Sequence, residues 1–541
     1  MDASATAANV DKDISYAIFI YPFLFDPATY KDRCEKADEI TVTCNEKEVK
    51  LWDAECFRGE DFISHIHIMF KDSYPTAKFW TLNNDNELAK GLHIKDKQYY
   101  LVLEDGRRIP FRFIASDQKG HLAPIRLELF STGVGFLAIC VRAESEKLEP
   151  WFDLLHYFRD FRRKDVVIVA EDEEAIADSA RKGKGKGHDD QGGLESKQTD
   201  RKDCLVEMIY MLLESLSLVH DKEGFGQKIH PKGEFKRKDF RAQNLEKGVW
   251  WDEVFIPGKM IPYSCLYIDG AGKDEIPKIR YRLRKFLHSR QEISLPADPE
   301  EQGAATSIEY AKNQWFIFSM EGQCFVAFDA EQDSFFRERL PEEIAVQYYT
   351  QFLLVIHQRF ALISLSMKVA QRWLLEDFAE RIRIFDNIRE SLLSFLSRGF
   401  FSQVSQRDHH HRYYSKLQEI MLVNELLEEV SGEVREMHEI LQSAKEKREE
   451  NKRRIVEIGI ALFALLIGLP SVAFGYLEAS GYANRSAANL AVLYTALASI
   501  TLSVLVLMAM AFYRMIELKK VRARKNAYFI KMGSLTKKHA K

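Results

Sequence analysis

Ile455 to Leu477 reads IVEIGIALFALLIGLPSVAFGYL, and this stretch decides the class of the protein. At about 1.5 Å per residue, a helix of that length crosses a hydrocarbon core of about 30 Å. Its one ionisable side chain, Glu457, stands a turn from the entry end, within reach of lipid headgroups. A second run, Leu490 to Phe512 (LAVLYTALASITLSVLVLMAMAF), carries no charge at all. A soluble core helix seldom runs so long without a polar face. The pair predicts two transmembrane helices, 455–477 and 490–512, joined by an outer loop, 478–489.

Flanking charge sets the expected orientation. Lys452, Arg453 and Arg454 precede the first span, and Arg514, Lys519, Lys520, Arg522, Arg524 and Lys525 follow the second. The loop between them holds only Glu478 and Arg485. By the positive-inside rule both termini are cytoplasmic, and 513–541 is a basic cytoplasmic tail. The opening MDASATAANVDKD lacks a basic segment followed by an apolar one, so no secretory signal is expected. Within the first span Ala461, Ala464, Gly468, Ser471, Gly475 and Glu478 recur at alternating steps of 3 and 4 and share one face. Small residues on one face admit close helix packing or line a pore; both hold if several copies surround an axis. Pro470 is tolerated in a span and marks a candidate kink.

Upstream lies a helical stalk, 341–454. From Tyr414 to Arg454 there is no proline and one glycine, Gly432. Ile420, Val423, Leu427, Val430, Val434, Met437, Leu441 and Ala444 form a heptad seam that must bury itself against another helix. Tyr414 to Leu477 reads as one helix of about 95 Å. Glu342 to Leu396 reads as an earlier helix, with Ser397-Arg398-Gly399 as its stop. A seam running into the membrane predicts a parallel homo-oligomer.

The remainder, 1–340, reads as a mixed α/β sensing domain. Ile14 to Phe25 is a dense apolar run, and Ile125 to Phe130, Gly135 to Arg142, Val166 to Val169 and Val254 to Ile268 are strand candidates. Trp315–Met320 and Cys324–Asp329 read as a hairpin about Glu321-Gly322, and Glu149 to Arg163 and Cys204 to Val219 as helices. Residues 171–203, with the run RKGKGKGHDDQGG, are too polar to order themselves and are expected to be a disordered insertion. They are no P-loop, since no Ser or Thr follows any of these lysines.

Composition excludes little. The 541 residues are 46% apolar and 29% charged with a formal net charge of −4, which gives no ground for direct nucleic-acid binding. Cys34, Cys44, Cys56, Cys140, Cys204, Cys265 and Cys324 are scattered without a C-x-x-C pair, so buried free thiols are expected. The nucleophile-elbow, zinc-protease and dinucleotide motifs are missing, so no enzyme, catalytic residue, metal ligand set or cofactor is called. His65 and His67 would share one face of a strand, and His409-His410-His411 sit at a helix start as solvated residues. The basic segment Lys278 to Phe286 would, as a strand, align Arg280, Arg282 and Arg284 on one face. Arginines in a row suit bidentate phosphate recognition, and a solvated charged face is the plainer alternative.

With these features assembled, the C-terminal third resembles the CorA family of two-helix membrane proteins. The shared features are the stalk, its continuation into a proline-bearing first span, the short outer loop and the basic tail. The resemblance implies a homopentamer with a cytoplasmic α/β domain and a pore lined by the first span. It departs where CorA magnesium transporters carry Gly-Met-Asn, because Gly475-Tyr476-Leu477-Glu478 stands there instead. His357-Gln358-Arg359-Phe360-Ala361-Leu362 and Phe400-Phe401-Ser402-Gln403-Val404-Ser405 resemble a divergent bacterial branch, some members of which accompany type III CRISPR systems. That branch is similar to membrane effectors gated by a nucleotide second messenger, such as an S-adenosylmethionine–AMP conjugate. The resemblance therefore implies an antiviral effector of the bacterial inner membrane that permeabilises it. The alternative is a CorA-type divalent-cation transporter with an altered selectivity loop, for which Glu478 and Asn484 are the nearby ligands.

Overall fold

Tyr16–Phe25, YAIFIYPFLF, is buried at all ten positions. A strand apolar on both faces belongs at the centre of a sheet covered on both sides. In the computed structural model it pairs antiparallel with Val134–Ala143 on one side and Ile261–Asp269 on the other. The structure describes residues 8–479, except 45–46, 56, 58–60, 72–74, 84–96, 104, 115–121, 161–166, 296–303, 373–377 and most of 173–258. In that last stretch 209, 212, 213, 249 and 250 are described, and beyond 479 only isolated positions between 490 and 501.

The main sheet runs Val167–Asp172, Lys97–Val102, Arg108–Phe113, Val134–Ala143, Tyr16–Phe25, Ile261–Asp269, Gly322–Phe328, Gln314–Ser319 and Ser307–Ala311. Ile125–Phe130 also pairs with Val134–Ala143, and Ala77–Leu82 with Ile125–Phe130. Ile261–Asp269 and Gly322–Phe328 are parallel. Parallel neighbours need a crossover, and the helix Ile276–Lys285 lies in it. The two strands about Ser131-Thr132-Gly133 and the hairpin about Glu321 form where the sequence places them. Leu148–Tyr157 forms the expected helix and buries Trp151, Leu154 and Leu155.

A helical layer covers another part of the sheet. Tyr16 and Tyr263 donate to the carbonyls of Pro341 (3.3 Å) and Ile344 (2.6 Å). Tyr267 donates to the Phe336 carbonyl (2.8 Å). These three phenols anchor a run of π- and α-turns, Phe335–Tyr348, that leads into a core helix, Tyr349–Arg372. Among the described residues, Phe335–Ala370 is long and apolar enough to cross a membrane by length and composition. However, 72% of its apolar window is buried inside the protein, as in the core helix of a soluble body. A return helix, Phe378–Arg398, follows, then a bridging helix, Asp408–Ile420, and a long helix, Val423–Ala479.

The expected stalk is corrected in two respects. The continuous helix from Tyr414 to Leu477 is broken at Met421–Leu422, where Leu422 takes a left-handed φ of +53°. The break is held from outside: Arg359 of the core helix donates to the Met421 carbonyl. The first half of the heptad seam is also satisfied within this chain, since Val423, Val430 and Val434 are buried and Ser366 donates to Glu433 (3.3 Å). Accordingly the chain divides into two units, Met1–Glu436 and Met437–Lys541, and the division falls inside the long helix.

That helix contains the whole of 455–477 and all six positions of the small-residue face, Ala461, Ala464, Gly468, Ser471, Gly475 and Glu478. Among the described side chains, Ile455, Ile460, Phe463 and Val472 stand open; Phe463 is 66% and Val472 71% exposed. The expected outer loop, basic tail and disordered insertion lie outside the described residues, apart from Glu478 and Ala479 at the loop's start and Glu171-Asp172, which end a strand. The second span lies outside them but for isolated positions.

Candidate functional site

Gly133 takes a φ of +87°, and a Cβ there would run into the Phe25 carbonyl and the Pro27 ring. Glycine is therefore required for the turn that folds Ser131 and Thr132 back across the sheet's end. Backbone hydrogen bonds fix it: Gly133 to Phe130 O (3.0 Å), Phe25 to Gly133 O (2.8 Å) and Ser131 to Thr76 O (2.8 Å). Above this floor the core helix presents His357, Ala361, Ser364, Leu365 and Lys368. The return helix faces it with Asn387, Glu390, Ser391, Ser394, Phe395 and Arg398. Each set repeats at helical spacing, so each is one face. They enclose a cavity of about 340 Å³, lined also by Pro27, Met69, Thr76, Ser131, Thr132 and Gly399.

His357 forms the inner end. It is 1% exposed, its ring stacks on Phe130 at 4.1 Å, and Nε2 lies 2.9 Å from the Thr132 hydroxyl. Burial lowers its pKa to about 3, so the imidazole is neutral near neutral pH. Its second nitrogen, Nδ1, is buried without a hydrogen-bond partner among the described residues. Such groups are costly to bury and uncommon in folded proteins. The charged lining residues are Lys368, Glu390 and Arg398; Arg398 adjoins the Gly399 that packs on His357, and Lys368 lies three turns further along the core helix.

The next two residues point elsewhere. Gln358 donates to the Gly399 carbonyl (3.2 Å) and to the Tyr414 hydroxyl (2.8 Å), and accepts from Gln418 (3.0 Å). Tyr414 donates to the Phe401 carbonyl (2.8 Å). Arg359 then caps the bridging helix at Met421. Three consecutive residues thus join the cavity, the end of the return helix and the joint that opens the long helix. Sequence reading singled out this segment by resemblance alone. The available signal was the spacing of His357, Ser364 and Lys368, which places three polar side chains on one face of an otherwise apolar helix.

A second buried polar cluster ties the same helix to the sheet. Tyr349 donates to Glu128 (3.0 Å), and Arg126 lies 3.5 Å from Glu128 and 3.0 Å from Glu55. The Arg126 guanidinium also stands over the Tyr349 ring at 4.9 Å. Burial pushes the Glu128 carboxyl up to about 7, against the pull of Arg126 and the Tyr349 hydroxyl.

The arginine row is overturned as geometry. Arg280, Arg282 and Arg284 stand on the helix Ile276–Lys285, so Arg282 leaves the face the other two share. Each has a partner inside the fold. Arg280 stacks on Trp315 (4.5 Å) and donates to Ser307 (2.8 Å). Arg282 donates to the carbonyls of His288 and Gln291. Arg284 stands over Tyr281 (5.3 Å) and reaches the Thr306 hydroxyl (3.2 Å). The phosphate role loses the strand that motivated it.

The histidine readings change as well. His65 and His67 lie on the helix Ser64–Lys71, two positions apart and so not on one face. His409–His411 open the bridging helix as expected, but His410 is buried, with Nδ1 2.6 Å from the Gln351 amide nitrogen and its ring stacked on Tyr348 (4.7 Å). Among the described residues no group of three or more His, Cys, Asp or Glu could hold a metal ion. Cys34, Cys140, Cys265 and Cys324 are free and buried. No protein-family model matches the chain, and comparison with curated proteins finds no match.

Proposed function

We propose that the protein is a membrane effector or channel gated by a small anionic nucleotide signal. The signal binds the cytoplasmic body, copies of the chain assemble around an axis, and the small-residue face of 455–477 lines the path through the bilayer. The resemblance to the CorA-like branch would place this activity in type III CRISPR-linked antiviral defence at the bacterial inner membrane. The observation that carries the reading is the continuity of His357, Gln358 and Arg359. One residue lines a cavity, the next holds the return and bridging helices, and the third caps the joint before the long helix. A ligand drives a conformational change only through its differential affinity for two states. Closing the cavity would move the return helix against the core helix, and Gln358 carries that movement to Tyr414. The open apolar face of the long helix supports a lipid or helix-packing environment for 455–477.

The test is binding of a panel of nucleotide second messengers to the detergent-solubilised oligomer, with Mg²⁺ and Co²⁺ as competitors. Nucleotide binding indifferent to metal is the expected result. Metal binding without nucleotide binding would return the protein to the cation transporters.

A further inference from the structure

We infer that the cavity takes an uncharged ligand of nucleoside size, hydrogen-bonded through a hydroxyl or amide edge to His357 Nδ1 and Thr76 Oγ1. The inference deepens the proposed gating reading and rests on it for the choice of a nucleoside. Two orphaned atoms carry it. His357 is fully buried and lines the cavity, and its Nδ1 has no partner among the described residues. Thr76 lines the same cavity, and its hydroxyl oxygen is also buried without a partner among them. Folded proteins leave few such groups unmet, and each costs free energy until something pairs with it.

Backbone and ring contacts bring the two residues to one end of the cavity. The Thr76 carbonyl accepts from the Ser131 amide (2.8 Å), and the neighbouring Thr132 hydroxyl lies 2.9 Å from His357 Nε2. Phe130 pairs across the sheet with Ala77, next to Thr76, and stacks on the imidazole at 4.1 Å. Thr76 and His357 therefore flank the Ser131-Thr132 turn. Gly399 approaches the same ring, since a Cβ there would stand 3.2 Å from His357 Cε1, the carbon next to Nδ1.

Chemistry selects the ligand. The Thr132 hydroxyl can donate to Nε2 or accept from it, so Nδ1 is left as an acceptor or a donor. A hydroxyl or amide edge answers either case. An anion would lose its hydration here without meeting a cation, because burial keeps the imidazole neutral. The charged lining residues carry both signs, and Lys368 already has a partner. Met69, Leu365 and Phe395 supply apolar walls. A cavity of about 340 Å³ falls within the range of about 300–1,000 Å³ typical of small-molecule sites, with room for a base and a sugar.

The experiment is calorimetric titration of the solubilised full-length protein with adenosine, guanosine, cytidine and uridine, their 5′-monophosphates and inorganic phosphate. At least one nucleoside should bind, and inorganic phosphate should not compete. Equal binding of the matching monophosphate makes the nucleoside the uncharged portion of a nucleotide; exclusion of the monophosphate makes it the free compound. Thr76→Val keeps the shape and removes the hydroxyl. It should weaken binding by about tenfold or more without lowering the thermal midpoint of the ligand-free protein. His357→Asn, whose amide falls near Nδ1, should bind more tightly than His357→Gln, whose amide falls near Nε2. No nucleoside binding at millimolar concentration would mean that water satisfies both atoms, and would overturn the inference. Binding that requires the phosphate, or affinity unchanged in all three variants, would overturn it too. Nucleotide gating that survives Thr76→Val and His357→Gln would remove the site and leave gating intact. Nucleoside binding sensitive to those variants, with no effect of any nucleotide on membrane flux, would remove gating and leave the site.

Discussion

Glu128 and His357 are buried ionisable side chains whose protonation opposes one another across the pH scale. Glu128 has its carboxyl pushed up from 4.5 to about 7. Between those values the folded state holds a proton that the unfolded chain releases, so this group's contribution to stability falls as pH rises from about 5 to 8. His357 is the reverse. Its pKa drops from 6.5 to about 3, so the unfolded chain takes up the proton first and stability is lost as pH falls below 6.5. The variant Glu128→Gln keeps the acceptor for Tyr349 and removes the charge. Relative to wild type it should gain up to about 3 kcal/mol on going from pH 5 to pH 8, read as a difference in thermal midpoints. Parallel pH profiles for the two proteins would contradict the burial of an ionising Glu128. Glu128 was not legible as special in the sequence, because it sits among strand residues and Tyr349 comes from a distant helix, and His357 was marked only by the resemblance of its segment.

At the scale of elements, the strands were readable and the basic helix was not. Tyr16–Phe25 and Val134–Ala143 are long apolar runs bounded by turn residues, and tertiary structure agreed with that pattern. In Ile276–Lys285 two periods compete. Arg280, Arg282 and Arg284 alternate as on a strand, while Ile276, Ile279 and Leu283 recur at helical spacing behind Pro277 at the helix start. Burial of Ile279 and Leu283 decided for the helix. The joint at Met421–Leu422 was likewise hidden, because a break made by a distant arginine leaves no local mark. It predicts that Arg359→Met, which keeps the stem and removes the donor, raises amide hydrogen exchange over Leu417 to Leu426 by at least tenfold. Gln358→Leu should raise it over Phe400 to Tyr414 instead. Unchanged exchange in both variants would mean that the two side chains do not hold the joint.

For the molecule as a whole, two apolar helices have different fates, and burial separates them. Phe335–Ala370 passes a length-and-composition test for a membrane span yet spends its apolar surface on the sheet. The 455–477 part of the long helix leaves Ile455, Ile460, Phe463 and Val472 open. At about 25 cal/mol per Å² of apolar surface, such a face is stable only against lipid or another helix. The apolar run 455–477 was legible because its length and composition stand in one continuous stretch of the sequence. The cavity was not, since its walls come from residues 27, 69, 76, 131–132 and 357–399, which only the fold brings together. The most direct test of the central claim reconstitutes the full chain in lipid vesicles and follows release of an encapsulated dye. A phosphorylated nucleotide added on the side of the α/β body should start release that does not occur without it. Vesicles that stay sealed at saturating ligand, or that leak equally with and without it, would contradict the claim.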